Sequence, residues 1–125
     1  MKVHELPFSK IILLNDSIAE VIINEGVEMD ETMVEEYHEF LLSHLSSPFS
    51  LLINKVNSYS YSFGAQIQLA SLKEISAMAV VTYNRAAELA TDNLATAVPR
   101  EIEWNLRIFS NRDNALKWLQ TEKTV

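Results

Sequence analysis

The chain contains no cysteine, so disulfides, thiolate metal sites, iron–sulfur ligation and cysteine nucleophiles are all excluded. Only two glycines are present, Gly26 and Gly64, too few to build either a dinucleotide-binding fingerprint or a phosphate-binding Walker loop. Basic residues are scarce: 10 Lys and Arg stand against 17 Asp and Glu, a net charge of −7. A nucleic-acid binder needs a basic face to displace counterions, and no basic cluster supplies one. The same charge disfavours anionic membranes and has its ordinary use in solubility. No apolar run approaches the ~20 residues of a membrane span. The opening Met1-Lys2-Val3-His4-Glu5-Leu6-Pro7 has neither the apolar core nor the cleavage pattern of a signal peptide, so the expected location is cytoplasmic.

What remains is an ordinary globular composition, with 48% hydrophobic and 22% charged residues over 125 positions. That length suits a single domain, residues 1–125, whereas two pieces would each lack a sufficient core. Two apolar runs, Phe8–Leu14 and Ile18–Ile23, flank Asn15-Asp16-Ser17, whose Asn and Asp tolerate the positive φ of a tight turn. The pattern predicts an antiparallel hairpin, with Ser9, Lys10 and Glu20 marking a partly solvated face.

Asp30 opens a helix reaching about Leu45, in which Met33, Val34, Tyr37, Phe40, Leu41, His44 and Leu45 fall within one arc and Glu35, Glu36 and Glu39 lie opposite. Phe49–Asn54 and Ala77–Tyr83 are nearly continuous in apolar residues, as strands covered on both faces are. A weaker helix is expected from Gly64 to Leu72 and an alanine-rich one from Arg85 to Ala97, stopped before Pro99. Trp104–Phe109 alternates like an edge strand. Ser110-Asn111-Arg112-Asp113 then resembles a capping box opening the last helix. The order β-β-α-β-α-β-α-β-α implies an α/β fold with a mostly parallel five-stranded sheet and an N-terminal antiparallel hairpin.

Three runs carry a family resemblance: Val80-Val81-Thr82-Tyr83 followed by Asn84-Arg85, then Leu106-Arg107-Ile108-Phe109-Ser110, and finally Asn114-Ala115-Leu116-Lys117-Trp118-Leu119. They resemble the STAS-like (SpoIIAA-like) domains of anti-sigma-factor antagonists and sulfate-transporter tails, and the ending is similar to a branch of small bacterial proteins in that group. The resemblance implies a non-enzymatic regulatory or protein-interaction domain. In the antagonists an Asp-Ser-Ser-Gly-like segment ends the strand before the second helix, and its serine is phosphorylated by a partner kinase. The matching stretch here, Asn54 to Gly64, lacks the Asp-Ser pair, which leaves Ser58, Ser60 and Ser62 as positional candidates only.

In open parallel sheets, ligands and partners gather at the carboxyl ends of the strands. Asn24–Asp30, Asn54–Ser62 and Tyr83–Arg85 are expected to converge there. Lys55, Ser58, Tyr59, Ser60, Tyr61, Ser62, Tyr83 and Arg85 are therefore the candidate partner- or ligand-binding residues. Cations, hydroxyls and helix N-termini suit a phosphate or carboxylate. The plainer alternative has Ser60 or Ser62 capping the second helix and the tyrosines covering the sheet end.

His44 on the apolar arc reads as a core or boundary residue, and His38 lies roughly 120° away from it around the helix, a poor fit to one metal. His4 reads as frayed or solvated. No metal, cofactor or catalytic motif is evident, and an acceptor-aspartate chemistry is excluded by Asn54-Lys55 at the central strand's end. The alternative to a protein partner is a small anionic or amphipathic, lipid-like ligand. The STAS fold is similar to the lipid-binding CRAL–TRIO fold, and Tyr59, Tyr61, Phe63 and Met78 would line a cleft. Such a cleft requires a groove between the second and third helices. The alternating last strand and amphipathic last helix also suit a homodimer.

Overall fold

The computed structural model describes residues 1–98 and 102–122. Six strands form one sheet in the order β1-β2-β3-β5-β7-β8. They are β1 (Lys2–Leu6), β2 (Ser9–Asn15), β3 (Ile18–Ile23), β5 (Phe49–Asn54), β7 (Ile75–Val81) and β8 (Leu106–Phe109). The first three pair antiparallel, and β3, β5, β7 and β8 run parallel. The mixed α/β architecture is the expected one, with a strand added at the N-terminal edge. Lys2–Leu6 has too many polar residues to read as a strand, yet pairing to β2 satisfies its backbone. His4 is accordingly half-buried, its ring 5.1 Å from that of Phe40 and 5.0 Å from that of His44.

The β2–β3 turn forms at the expected place but without the positive φ expected of Asn15 and Asp16; the Asn15 side chain holds it instead, accepting from the Ser17 N–H at 2.8 Å. Two short strands, β4 (Glu28–Met29) and β6 (Ser60–Tyr61), make a separate parallel ribbon beyond the carboxyl ends of the main strands.

Among the described residues four helices complete the fold: α1 (Glu31–His44), α2 (Phe63–Gln68), α3 (Arg85–Ala97) and α4 (Arg112–Thr121). Each begins on a side-chain cap: Asp30, Ser62, Asn84 and Asn111 accept the N–H of Met33, Ala65, Ala87 and Asn114. The cap of α4 is thus Asn111 rather than Ser110, one residue later than the capping-box reading. The expected stop of α3 at Pro99 lies outside the described residues.

Strand alternation sorts the core into two layers. Leu51, Met78, Val21 and Ile23 face one side with Val34, Tyr37 and Leu41 of α1 and Ala65 of α2, all buried. Leu52, Ala77, Ala79 and Val81 face the other, where Ala115 and Leu119 of α4 cover them. The alanines there let α4 lie close to the sheet. The partly solvated face is confined to β2, where Lys10 is exposed and Ile12 and Leu14 are half-buried; Ser9 and Glu20, expected to mark it as well, are buried.

Candidate functional site

The segment after β5 is strapped onto the segment after β3. Gly26 donates its N–H to the Ser58 carbonyl at 2.7 Å, Ser60 to Val27 at 3.0 Å and Ser62 to Met29 at 2.8 Å. The Ser58 N–H donates to the Glu25 carboxylate and the Asn57 amide to the Ile23 carbonyl, both at 3.0 Å. Asn24–Asp30 and Asn54–Ser62 therefore converge as the sheet topology requires.

Their side chains point in different directions. Ser58 and Ser60 are exposed, while Ser62 caps α2, its oxygen accepting from Ala65 at 3.2 Å. Tyr59 and Tyr61 turn inward onto the core, edge to face at 5.5 Å, with hydroxyls 3.5 Å apart. Burial raises both phenols, that of Tyr61 to about 12 although the Tyr59 hydroxyl pulls it down. Both rings belong to the α1 side of the sheet.

Tyr83 and Arg85 lie apart from them. Tyr83 is 54% exposed and donates its hydroxyl to the Asn54 side-chain oxygen at 2.7 Å. Arg85 is solvent-exposed and pairs with Glu88 one helical turn away. The candidate residues thus divide into an inward group of Lys55, Tyr59 and Tyr61, a displayed pair of serines, one capping serine, and a Tyr83–Arg85 rim.

Lys55 and Tyr61 of the inward group border a cavity between the sheet, the Leu69–Ala70 segment after α2, and α3; of the residues expected to line a cleft, Tyr61 and Met78 are there, whereas Tyr59 lies outside it and Phe63 on α2 is 79% exposed. Val21, Ile53, Met78 and Val80 form its floor, with Tyr37 and Tyr61 at one side and Thr91 and Leu94 of α3 above. About 40 Å³ is open to a water's centre, room for about three waters. Its surface is overwhelmingly apolar. Lys55 is the charged residue on that wall among the described residues, and its ammonium lies 5.6 Å from the Tyr59 ring centre. Burial lowers the Lys55 amine to about 8, and among the described residues no carboxylate stands within ion-pair distance to oppose that shift.

The helix above is lightly held. Of α3's residues, Thr91 alone is buried, its hydroxyl bonded to the Ala87 carbonyl at 2.8 Å, and Leu89 is 51% exposed. Burial of an apolar stripe is what anchors a helix to its domain, and α1 buries four residues where α3 buries one.

Two features of the site were not read from the sequence. The first is a clamp on Ala70, which lines the cavity at φ 54, a left-handed conformation that non-glycine residues seldom adopt. Its N–H donates to His38 Nε2 at 3.1 Å, and its carbonyl accepts from Trp104 Nε1 at 3.2 Å. Because Nε2 accepts, His38 is neutral with its proton on Nδ1, and burial lowers its pKa to about 4. His38, not His44, is thus the buried helix histidine. His44 sits exposed, its Nδ1 2.9 Å from the Phe40 carbonyl and its ring stacked on that of Phe40 at 4.0 Å.

The second is a buried carboxylate on the α4 side. Glu20 is 4% exposed and meets Arg112 through contacts of 2.7, 3.1 and 3.2 Å. The Asn54 amide adds a fourth at 2.9 Å, and Tyr83 holds the other end of that amide. Burial pushes the Glu20 carboxyl up, but the guanidinium and amide outweigh it and hold it below the usual carboxylate range. A charge inside the otherwise apolar Ile18–Ile23 run was the available signal; its partner 92 residues away was not. Among the described residues no group of three or more His, Asp or Glu side chains is placed to hold a metal ion.

No family model matches the sequence, and no curated relative does. Among solved structures, the chain is similar to a DUF3478-family protein with a SpoIIAA-like fold from Shewanella loihica PV-4. The two share 19% identity and a TM-score of 0.58, over 89% of this chain and 91% of that one.

Proposed function

Starting from a SpoIIAA-like fold with a cavity beneath its third helix, we propose that the protein is a binding module for an amphipathic small molecule. The observation that carries this reading is the apolar cavity bordered by Lys55 and Tyr61. Small-molecule sites are concave, mainly apolar, and supplied with a few placed polar groups. This one shares that character. Its present volume takes only a short chain, so a longer tail enters by lifting α3, the helix with one buried residue.

Uptake of Nile red, a neutral dye that brightens in apolar surroundings, tests the reading. Saturable uptake at one dye per chain is expected, reduced at least fivefold by Val80→Phe, which fills the floor. Absence of saturable uptake by the folded wild-type protein refutes it.

A second reading, docking of a protein partner as in a STAS-like regulatory domain, is favoured by a different observation. Phe63 is 79% exposed and Ile67 45% exposed, one turn apart on α2, with Val56 nearby in sequence at 58%. Exposed aromatic and aliphatic residues grouped this way are characteristic of interaction surfaces. Ser58 and Ser60 stand on the same loop, held at fixed positions by the β4–β6 ribbon. A photo-crosslinker at position 63 that captures no protein in cells expressing the chain would count against it.

A further inference from the structure

The cavity wall carries a charge that its own protein leaves unanswered. An ammonium beside apolar surface is costly unless an anion or dipoles compensate it. Lys55 has neither a hydrogen bond nor an ion pair from its side chain among the described residues, only the face of Tyr59. The arginines at this end of the sheet are paired, Arg112 with Glu20 and Arg85 with Glu88. In a chain of net charge −7, with carboxylates available on many surface positions, an unpaired cation at the rim of an apolar space is a specific arrangement.

We propose that the cavity selects its amphiphile by a singly charged anionic head, a carboxylate, which pairs with the Lys55 ammonium while the tail occupies the space beneath α3. The inference rests on the amphiphile-binding reading and adds the class of head group. One cation matches one negative charge, which favours a carboxylate over a doubly charged phosphate monoester. The phenol of Tyr61 on the same wall, which donates to that of Tyr59 at 3.5 Å, has its pKa raised by burial, as has Tyr59, so neither is a competing anion. Burial also weakens the lysine's hold on its proton, and a bound carboxylate restores it. The cationic head of an amine would meet Lys55 as a like charge.

The test is a nuclear magnetic resonance titration of the intact chain with octanoate, octanol and octylamine, following the amides of Lys55, Tyr61, Ala70 and Thr91. Octanoate is expected to shift these amides and bind at least tenfold tighter than octanol, with octylamine weakest. In Lys55→Met, which keeps an unbranched stem without the charge, octanoate and octanol are expected to bind within a factor of two of each other. Equal affinity for the three amphiphiles in the wild type overturns the head-group inference and leaves the cavity reading standing. If none of them moves the cavity amides, both fall. A carboxylate preference that survives in Lys55→Met, shown folded by its dispersed spectrum, removes Lys55 from the role.

Discussion

Acid should weaken this protein through one histidine, well before its carboxylates begin to titrate. His38 accepts the Ala70 N–H on Nε2 and is enclosed by the core, so its pKa falls from 6.5 to about 4. The unfolded chain therefore takes up a proton below about pH 6.5 that the folded chain refuses until about pH 4. A base whose folded pKa is depressed favours the unfolded state as pH falls through that window. The full shift corresponds to a loss of about 3 kcal/mol, and between pH 7.5 and 5.0 the loss is about 2 kcal/mol. Typical domain stabilities are about 5–15 kcal/mol, so the effect is readily measured. Urea unfolding at pH 7.5, 6.5, 5.5 and 5.0 provides the assay. His38→Gln is the control: its amide oxygen takes over the bond from Ala70 and does not titrate. The variant is expected to lose less than about 0.5 kcal/mol over the same range beyond what other groups contribute equally to both proteins. Parallel pH profiles for the two proteins would refute the argument, because the acceptor role of Nε2 requires the neutral ring.

Two further perturbations follow from charges on opposite faces of the sheet. Arg112→Ala strands the Glu20 carboxylate in a buried setting and should cost about 3 kcal/mol by urea unfolding at pH 7; Glu20→Gln, which keeps the Asn54 contact, should cost less. Lys55→Met should act in the other direction. The folded amine's pKa is depressed to about 8, so charging it opposes folding as pH falls from about 10.5 to 8. Discounted for its partial exposure, the substitution should add about 1–2 kcal/mol at pH 7 and almost nothing at pH 10.5, read by thermal or urea unfolding.

The sequence announces α1 and α3 through local chemistry that stays local in the fold. Asp30 and Asn84 cap them, and Val34, Tyr37 and Leu41 fall on the buried stripe as their spacing requires. The helical wheel erred at its margin, admitting His44 and omitting His38. What buries His38 is the chain at Leu69–Ala70, which leaves α2 and folds over that side of α1. A wheel drawn for one helix contains no information on where a second covers it. Of the candidate site, Lys55, Tyr59 and Tyr61 come together, whereas Arg85 turns to Glu88 within its own helix. The cavity itself was not legible, since it is set by how far α3 stands from the sheet.

The Glu20–Arg112 bond also ties together two distant parts of the polypeptide. It joins the third strand to the start of the fourth helix, across 92 positions. Until Arg112 arrives, β3 carries an acidic side chain that water must solvate, and its α4-facing surface cannot dry. Folds rich in contacts this distant along the polypeptide fold more slowly than those built from local ones. The small side chains Ala77 and Ala79 then allow the arriving helix to seat closely enough for its arginine to reach. Neutralising one acid and sealing one half of the core are therefore coupled: the helix that covers Ala77 and Ala79 is the one whose first residue answers Glu20.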